Sequence, residues 1–222
     1  MVAAKLSLCL GLVLSASAIA VEKRAACASY VLINARGTGE TAGQESSGFK
    51  TMNSNVESQV SGGTIYNVNY PAANNQDSSA GTTDIVNHVN SVLSSNPNTC
   101  IILEGYSQGA AAVVNAMPKL TGASFTAVKG VVLEGDPEHK SGLACNVDET
   151  GGTTTKNVNG LEVSSGSVPS TWVSKTLDIC IKGDGVCDTT DGYGITSQHL
   201  QYPSSSSVQS MGTKYIVGKL GG

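Results

Sequence analysis

Short apolar runs alternate along this chain with segments of helical periodicity, and that alternation limits the possible folds more than any other feature. Residues 30–33 are a compact apolar run that leads into a glycine-containing loop at 34–40. Residues 64–70 form a second β-like run, stopped by Pro71. Further runs lie at 100–103, 128–133 and 177–181. Between them, Ile85, Val86, Val89, Val92 and Leu93 are spaced for a helix over 83–95, with Thr82 or Thr83 as N-cap and Pro97 beyond its end. Residues 110–117 and 207–220 are also predicted helical; the latter uses Val208, Met211, Tyr215, Ile216 and Leu220. Strands that alternate with helices require right-handed crossovers, hence a parallel sheet with helices on both faces. The runs lack apolar/polar alternation, as expected of strands buried on both sides. Polar residues 146–170, rich in Gly, Thr and Asn, read as a surface excursion within a single domain.

Composition narrows the function classes. With 40% hydrophobic residues and a formal net charge of −4, a disordered chain is excluded. A pI near 5.3 argues against a nucleic-acid partner, because phosphate binding needs a basic face. Lys5, the apolar run 6–13 and the small residues Ala16-Ser17-Ala18-Ile19-Ala20 predict a signal peptide at 1–20. Lys23-Arg24 predicts a second trimming: residues 21–24 are a short dibasic segment, and the mature domain is 25–222, starting at Ala25. No later apolar run is long enough to span a bilayer, so a secreted protein without a membrane anchor is expected. In that compartment Cys27, Cys100, Cys145, Cys180 and Cys187 should be oxidised where they can pair. Cys180 and Cys187 are placed to clamp a loop, and Cys27 to tie the N-terminus to Cys100. Cys145 is then left as a free or intermolecular thiol. There is no Asn-x-Ser/Thr sequon, no metal-ligand spacing and no phosphate-loop motif, so no metal or cofactor is expected.

Gly105-Tyr106-Ser107-Gln108-Gly109 lies between the strand at 100–103 and the helix at 110–117. That context turns a weak pentapeptide into a nucleophile elbow: Ser107 sits on a sharp turn, before a helix start with unpaired N–H groups. The N–H of Gln108 is then placed to stabilise an oxyanion. A serine needs a base. His88 lies between apolar residues of a helix and reads as a boundary residue. His139 follows a strand end but precedes any suitable late acid. The chain order Ser, Asp, His leaves His199 as the base. Asp184 is the best acid, since a disulfide across 180–187 would fix its carboxylate just after a strand. Asp178, Asp188 and Asp191 read as structural or solvated.

These residues resemble a family. Gly-Tyr-Ser-Gln-Gly at 105–109, Cys-x₃-Asp-x₂-Cys around Asp184, His199 and Ala35-Arg36-Gly37-Thr38-Gly39-Glu40 together look like cutinase, within the cutinase and acetylxylan esterase group of small lidless serine esterases. The resemblance implies a three-layer α/β-hydrolase-like sandwich on a mostly parallel five-stranded sheet. It implies a Ser107, Asp184, His199 triad and an oxyanion hole from the N–H groups of Gln108 and Thr38, the Thr38 hydroxyl being a third donor. It also implies the disulfides Cys27–Cys100 and Cys180–Cys187, and action on cutin or another ester; a monomer is expected. The loop 188–198 is polar for such a protein, with Tyr193 and Ile195 its apolar members. Gly135-Asp136-Pro137 and Gly192-Tyr193-Gly194 resemble acetylxylan esterases more closely. Acetylated xylan is therefore the second substrate expectation, and a non-catalytic cell-wall binder the third.

Leu103-Glu104-Gly105 and Leu133-Glu134-Gly135 end consecutive strands. If those strands are parallel and in register, the two carboxyls lie side by side near Ser107 and share a proton. The opposed expectation is two separate carboxylates, facing water or paired with Arg or Lys.

Overall fold

The structure is a computed structural model, and it describes Met1 and residues 26–222. The expected signal peptide, the dibasic segment and the Ala25 terminus fall outside the described residues, Met1 apart.

In chain order the elements are β1 (Tyr30–Ala35), α1 (Lys50–Gln59), β2 (Gly63–Asn67), α2 (Ser79–Ser95), β3 (Cys100–Tyr106), α3 (Gln108–Ala116), α4 (Ala123–Ala127), β4 (Val128–Glu134), β5 (Asn146–Val147), β6 (Thr176–Ile179) and α5 (Ser206–Leu220). The sheet runs β2-β1-β3-β4-β6-β5 and every pairing is parallel. It has six strands where five were expected. The extra strand is the two-residue β5 on the edge, at the start of the 146–170 excursion. Two residues carry no periodicity, so pairing alone defines it.

Alternate residues of each strand face opposite layers. Val31, Ile33, Leu103 and Val131 pack with α2, α3 and α4. Leu32, Ile102 and Val132 pack with α1 and α5. Each fully buried side chain of this size stabilises the fold by about 1.5–3 kcal/mol. Helix α2 starts earlier than its threonines suggested. Asp77 Oδ1 accepts from Ser79 N at 3.0 Å, whereas Thr82 is buried and its hydroxyl donates to Ala112 O. At the other end of the chain, Ser205 Oγ caps α5 by accepting from Val208 N, and Gly221 closes it at φ 86°. Cys27–Cys100 and Cys180–Cys187 are bonded, and Cys145 is a buried thiol. No helix among the described residues is long and apolar enough to cross a membrane.

The strands β3 and β4 are parallel neighbours, but a register shift between Ile101 and Ile102 sets Glu104 against Val132 and Tyr106 against Glu134. The two glutamates therefore share a face without being partners. Both are fully buried. Glu104 Oε2 accepts from Asn34 Nδ2 and Asn53 Nδ2, each at 2.9 Å. Neither oxygen of Glu134 has a partner. Burial pushes the Glu104 carboxyl up to about 8, with Glu45 adding to the shift and the two asparagines opposing it. Burial, then Glu104, then Glu40 hold Glu134 well above the usual carboxylate range. The carboxyls are thus neither water-facing nor paired with Arg or Lys.

Candidate active site

The strands end together at one edge of the sheet, and three of the predicted residues meet there. Ser107 occupies the turn between β3 and α3 at φ 56°, ψ −123°. A non-glycine residue there is strained by roughly 1–3 kcal/mol, and the turn is held by its neighbours. Ser107 N donates to Glu134 O at 2.9 Å, and Ala110 N donates to Ser107 O at 2.8 Å. A β-carbon on Gly105 would lie 2.6 Å from Ala110 Cα, so the crossing of strand and helix requires glycine there. Gly109 presses against the Ala35 carbonyl in the same way.

His199 Nε2 lies 2.9 Å from Ser107 Oγ, and its Nδ1 lies 2.9 Å from both oxygens of Asp184. A carboxylate facing Nδ1 places the imidazole proton on that nitrogen, and leaves Nε2 to accept from the serine hydroxyl. Ser107 is 8% exposed, His199 2% and Asp184 0%. The acid is fixed further by Val186 N, which donates to Oδ1 at 2.9 Å, and by Tyr202 O–H, which donates to Oδ2 at 2.7 Å. The same phenolic oxygen, Tyr202 Oη, also accepts from Ile181 N. The Cys180–Cys187 bond closes this loop. The imidazole is steadied by Tyr106, whose ring stacks 5.3 Å from it and whose hydroxyl donates to His199 O. Gly135, at φ 59°, backs the pair; a β-carbon there would sit 2.8 Å from His199 Cε1.

Thr38 and Gln108 line one cavity with Ser107. It measures about 190 Å³, and Leu161, Val186 and Ile195 form its apolar wall. The Thr38 hydroxyl donates to the side-chain oxygens of Gln76 and Gln108, at 3.2 and 3.4 Å. Its backbone N–H and that of Gln108 have no acceptor among the described hydrogen bonds. Leu161 comes from the 146–170 excursion, which is tied to the acid loop and the residues just after it by Leu161 N to Val186 O and Thr189 N to Asn159 O, and to the segment after β4 by Glu162 N to Pro137 O. A second cleft of about 560 Å³ shares Gln76 and Glu162 with the first and is lined by hydroxyls, amides and carboxylates.

Comparison with known proteins identifies the family. Residues 26–220 match the cutinase family. The chain belongs to that family. A cutinase-like protein from Cryptococcus sp. is 62% identical; the match covers 89% of this chain and 97% of that one, with a TM-score of 0.87. A cutinase from Monilinia fructicola is 31% identical over 226 residues, covering 93% of this chain and 94% of its own. An acetylxylan esterase structure aligns with a TM-score of 0.70 at 25% identity, over 87% and 99% of the two chains. As a cutinase-family member, the chain is a carboxylic-ester hydrolase.

The remaining histidines stand apart from this cutinase-family site. His88 is half-buried and stacks on Tyr66 at 3.4 Å; burial lowers its pKa. His139 is fully buried, with Nδ1 2.8 Å from Asp178 and Nε2 3.1 Å from Thr155 O. Burial opposes its charge, but the Asp178 carboxylate outweighs burial and raises the group to about 9. Thus Asp178 anchors a structural histidine. Asp188 staples the disulfide loop by accepting from Gly183 N and Thr190 N. Sequence reasoning did not assign Tyr106 and Tyr202. The first stood inside the pentapeptide and the second three residues after His199, yet only the folded positions reveal what their hydroxyls hold.

Proposed function

We propose that this cutinase-family chain is a secreted serine esterase in which Ser107 is the nucleophile, His199 the base and Asp184 the orienting acid. One observation carries the assignment: an unbroken hydrogen-bonded line from Asp184 through His199 to Ser107, opening on a cavity. His199 Nε2 takes the Ser107 proton as Oγ attacks the ester carbonyl. The oxyanion forms against the N–H groups of Gln108 and Thr38. The alcohol leaves with the proton from His199. Water, deprotonated by His199, then attacks the acyl-serine and releases the acid. Asp184 keeps the imidazole in the productive tautomer and stabilises the imidazolium.

The substrate reading is a cutin-like polyester or a short-chain ester. The apolar wall of Leu161, Val186 and Ile195 favours it, with Tyr193 and Leu200 exposed nearby in sequence. A second reading, an O-acetylated polysaccharide, is favoured by the polar cleft that shares Gln76 and Glu162 with the cavity. Secretion, with cleavage of residues 1–20 and trimming after Arg24, fits a chain with two disulfides. The test is direct. Ser107→Ala should abolish ester hydrolysis and labelling by an alkyl p-nitrophenyl phosphonate, with the fold intact. Residual full activity would overturn the assignment. One wild-type preparation assayed on polyester film, acetylated xylan and p-nitrophenyl esters of rising chain length separates the two substrates.

A further inference from the structure

Arg36 is 3% exposed and has no carboxylate within ion-pair distance among the described residues. Its guanidinium instead donates to four backbone carbonyls. Nε bonds Glu40 O at 2.8 Å, Nη1 bonds Val68 O at 3.3 Å, and Nη2 bonds Tyr70 O at 2.6 Å and Pro71 O at 3.2 Å. The carboxylate nearest in sequence, Glu40, is occupied elsewhere: it accepts from Gly37 N, Ser46 Oγ, Ser47 N and Ser47 Oγ. A buried cation without a counter-ion is costly to keep, so its geometry needs a reason.

The reason lies in what the four carbonyls belong to. The Arg36 side chain reaches past Gly37, Thr38 and Gly39 to grip Glu40, and Glu40 N returns to Gly37 O at 3.3 Å. Thr38 is therefore carried on a turn closed by Arg36 on one side and by the Glu40 carboxylate, through Gly37 N, on the other. The remaining forks lash that turn to residues 68–71. The next residue of that segment, Ala72, sits at φ 49° and accepts from Gly39 N at 2.9 Å. Tyr70 completes the ring of contacts: its hydroxyl donates to Arg36 O, and its ring lies 5.0 Å from the guanidinium carbon.

We infer that Arg36 is a positioning residue for ester hydrolysis, aiming the Thr38 N–H at the oxyanion through its clamp on the 37–40 turn. The inference rests on the oxyanion assignment above. Such a donor stabilises the transition state only when it is already aimed, and displacement by about 1 Å costs on the order of a hundredfold in rate. A lysine cannot replace this arrangement, because its donors all sit on one nitrogen and it cannot present three nitrogens held in a fixed plane.

The test compares wild type with Arg36→Lys and Tyr70→Phe, each normalised to folded protein by circular dichroism. kcat and KM are measured on p-nitrophenyl butyrate, together with the rate of phosphonylation by an alkyl p-nitrophenyl phosphonate, whose phosphoryl oxygen takes the oxyanion's place. Arg36→Lys should lower kcat and the phosphonylation rate together, by roughly ten- to a hundredfold, with KM within about twofold. Tyr70→Phe, the milder change, should lower both severalfold and decides the matter if Arg36→Lys does not fold. Unchanged kcat per folded molecule, or a loss confined to KM, overturns the inference. Failure of wild type to be phosphonylated at Ser107 would instead overturn the active-site assignment beneath it.

Discussion

Glu104→Gln should leave the protein nearly as stable as wild type at pH 5 and make it clearly more stable at pH 8. Glu104 is fully buried, with one oxygen accepting from Asn34 and Asn53 and the other without a partner. Burial displaces its ionisation to about 8, whereas a glutamate in the unfolded chain ionises near 4.3. Between those values the folded state holds a proton that the unfolded state has lost. The folded state binds more protons, so stability falls as pH rises across the interval, by about 1.4 kcal/mol per pH unit. From pH 5 to pH 8 that amounts to about 4 kcal/mol. Glutamine keeps an oxygen for the two asparagines and removes the titration. The difference in unfolding free energy between variant and wild type should therefore grow from within about 1 kcal/mol at pH 5 towards about 4 kcal/mol at pH 8. Urea unfolding at intervals from pH 5 to pH 8 measures it directly. A difference that stays constant across the series would refute the reasoning, because it would mean that Glu104 does not change protonation state between folded and unfolded chains.

Asp184→Asn should lower kcat by roughly a thousand- to ten-thousandfold on p-nitrophenyl butyrate, since the amide favours the wrong imidazole tautomer; a loss under tenfold would contradict the role of this acid. Replacing both Cys180 and Cys187 by serine should cost about 2–3 kcal/mol in urea unfolding, and should lower kcat because the loop bearing Asp184 loosens. Unchanged kcat would show that the loop holds itself. Tyr193→Ser removes a side chain that is 79% exposed and next in sequence to the cavity-lining Gly194 and Ile195. It should reduce release of soluble products from a polyester film severalfold while hydrolysis of a soluble ester stays within about twofold, read by titrating released acid.

Much of the site was legible because its chemistry demands residue types in order. A nucleophile turn needs glycines around Ser107, an orienting acid needs a fixed loop, and both left marks in the linear sequence. The central strands and the helices at either end of the second half were legible from apolar spacing. Helix α1 was not, since only Met52, Asn53 and Val56 of its ten residues are buried. So sparse an apolar stripe on a polar segment gives no periodicity, and contacts with α5 hold it in place. The relation of Glu104 to Glu134 was left open for a different reason. Repeated tripeptides at two strand ends imply alignment only if the register matches them, and here Glu104 lies opposite Val132, two residues short of Glu134. The clamp around Arg36 depends on backbone carbonyls from residues more than thirty positions away, which carry no side-chain signature at all.

Leu161, on the cavity's apolar wall, and the residues proposed to break the ester have separate supports, although Val186 and Ile195 of the same wall lie on the loops that carry Asp184 and His199. Ser107, Asp184 and His199 hang from the ends of sheet strands and the loops that follow them, whereas Leu161 belongs to a stretch with almost no regular structure. Selectivity can therefore drift, or be redesigned, by substitution within that stretch without retuning the reaction. The freedom has one boundary. The bonds from Leu161 to Val186 and from Asn159 to Thr189 are also part of what holds the acid's loop in place. A library built on the excursion should vary side chains there and keep its length, so that Leu161's part of the wall is rewritten while the backbone that braces Asp184 stays where it is.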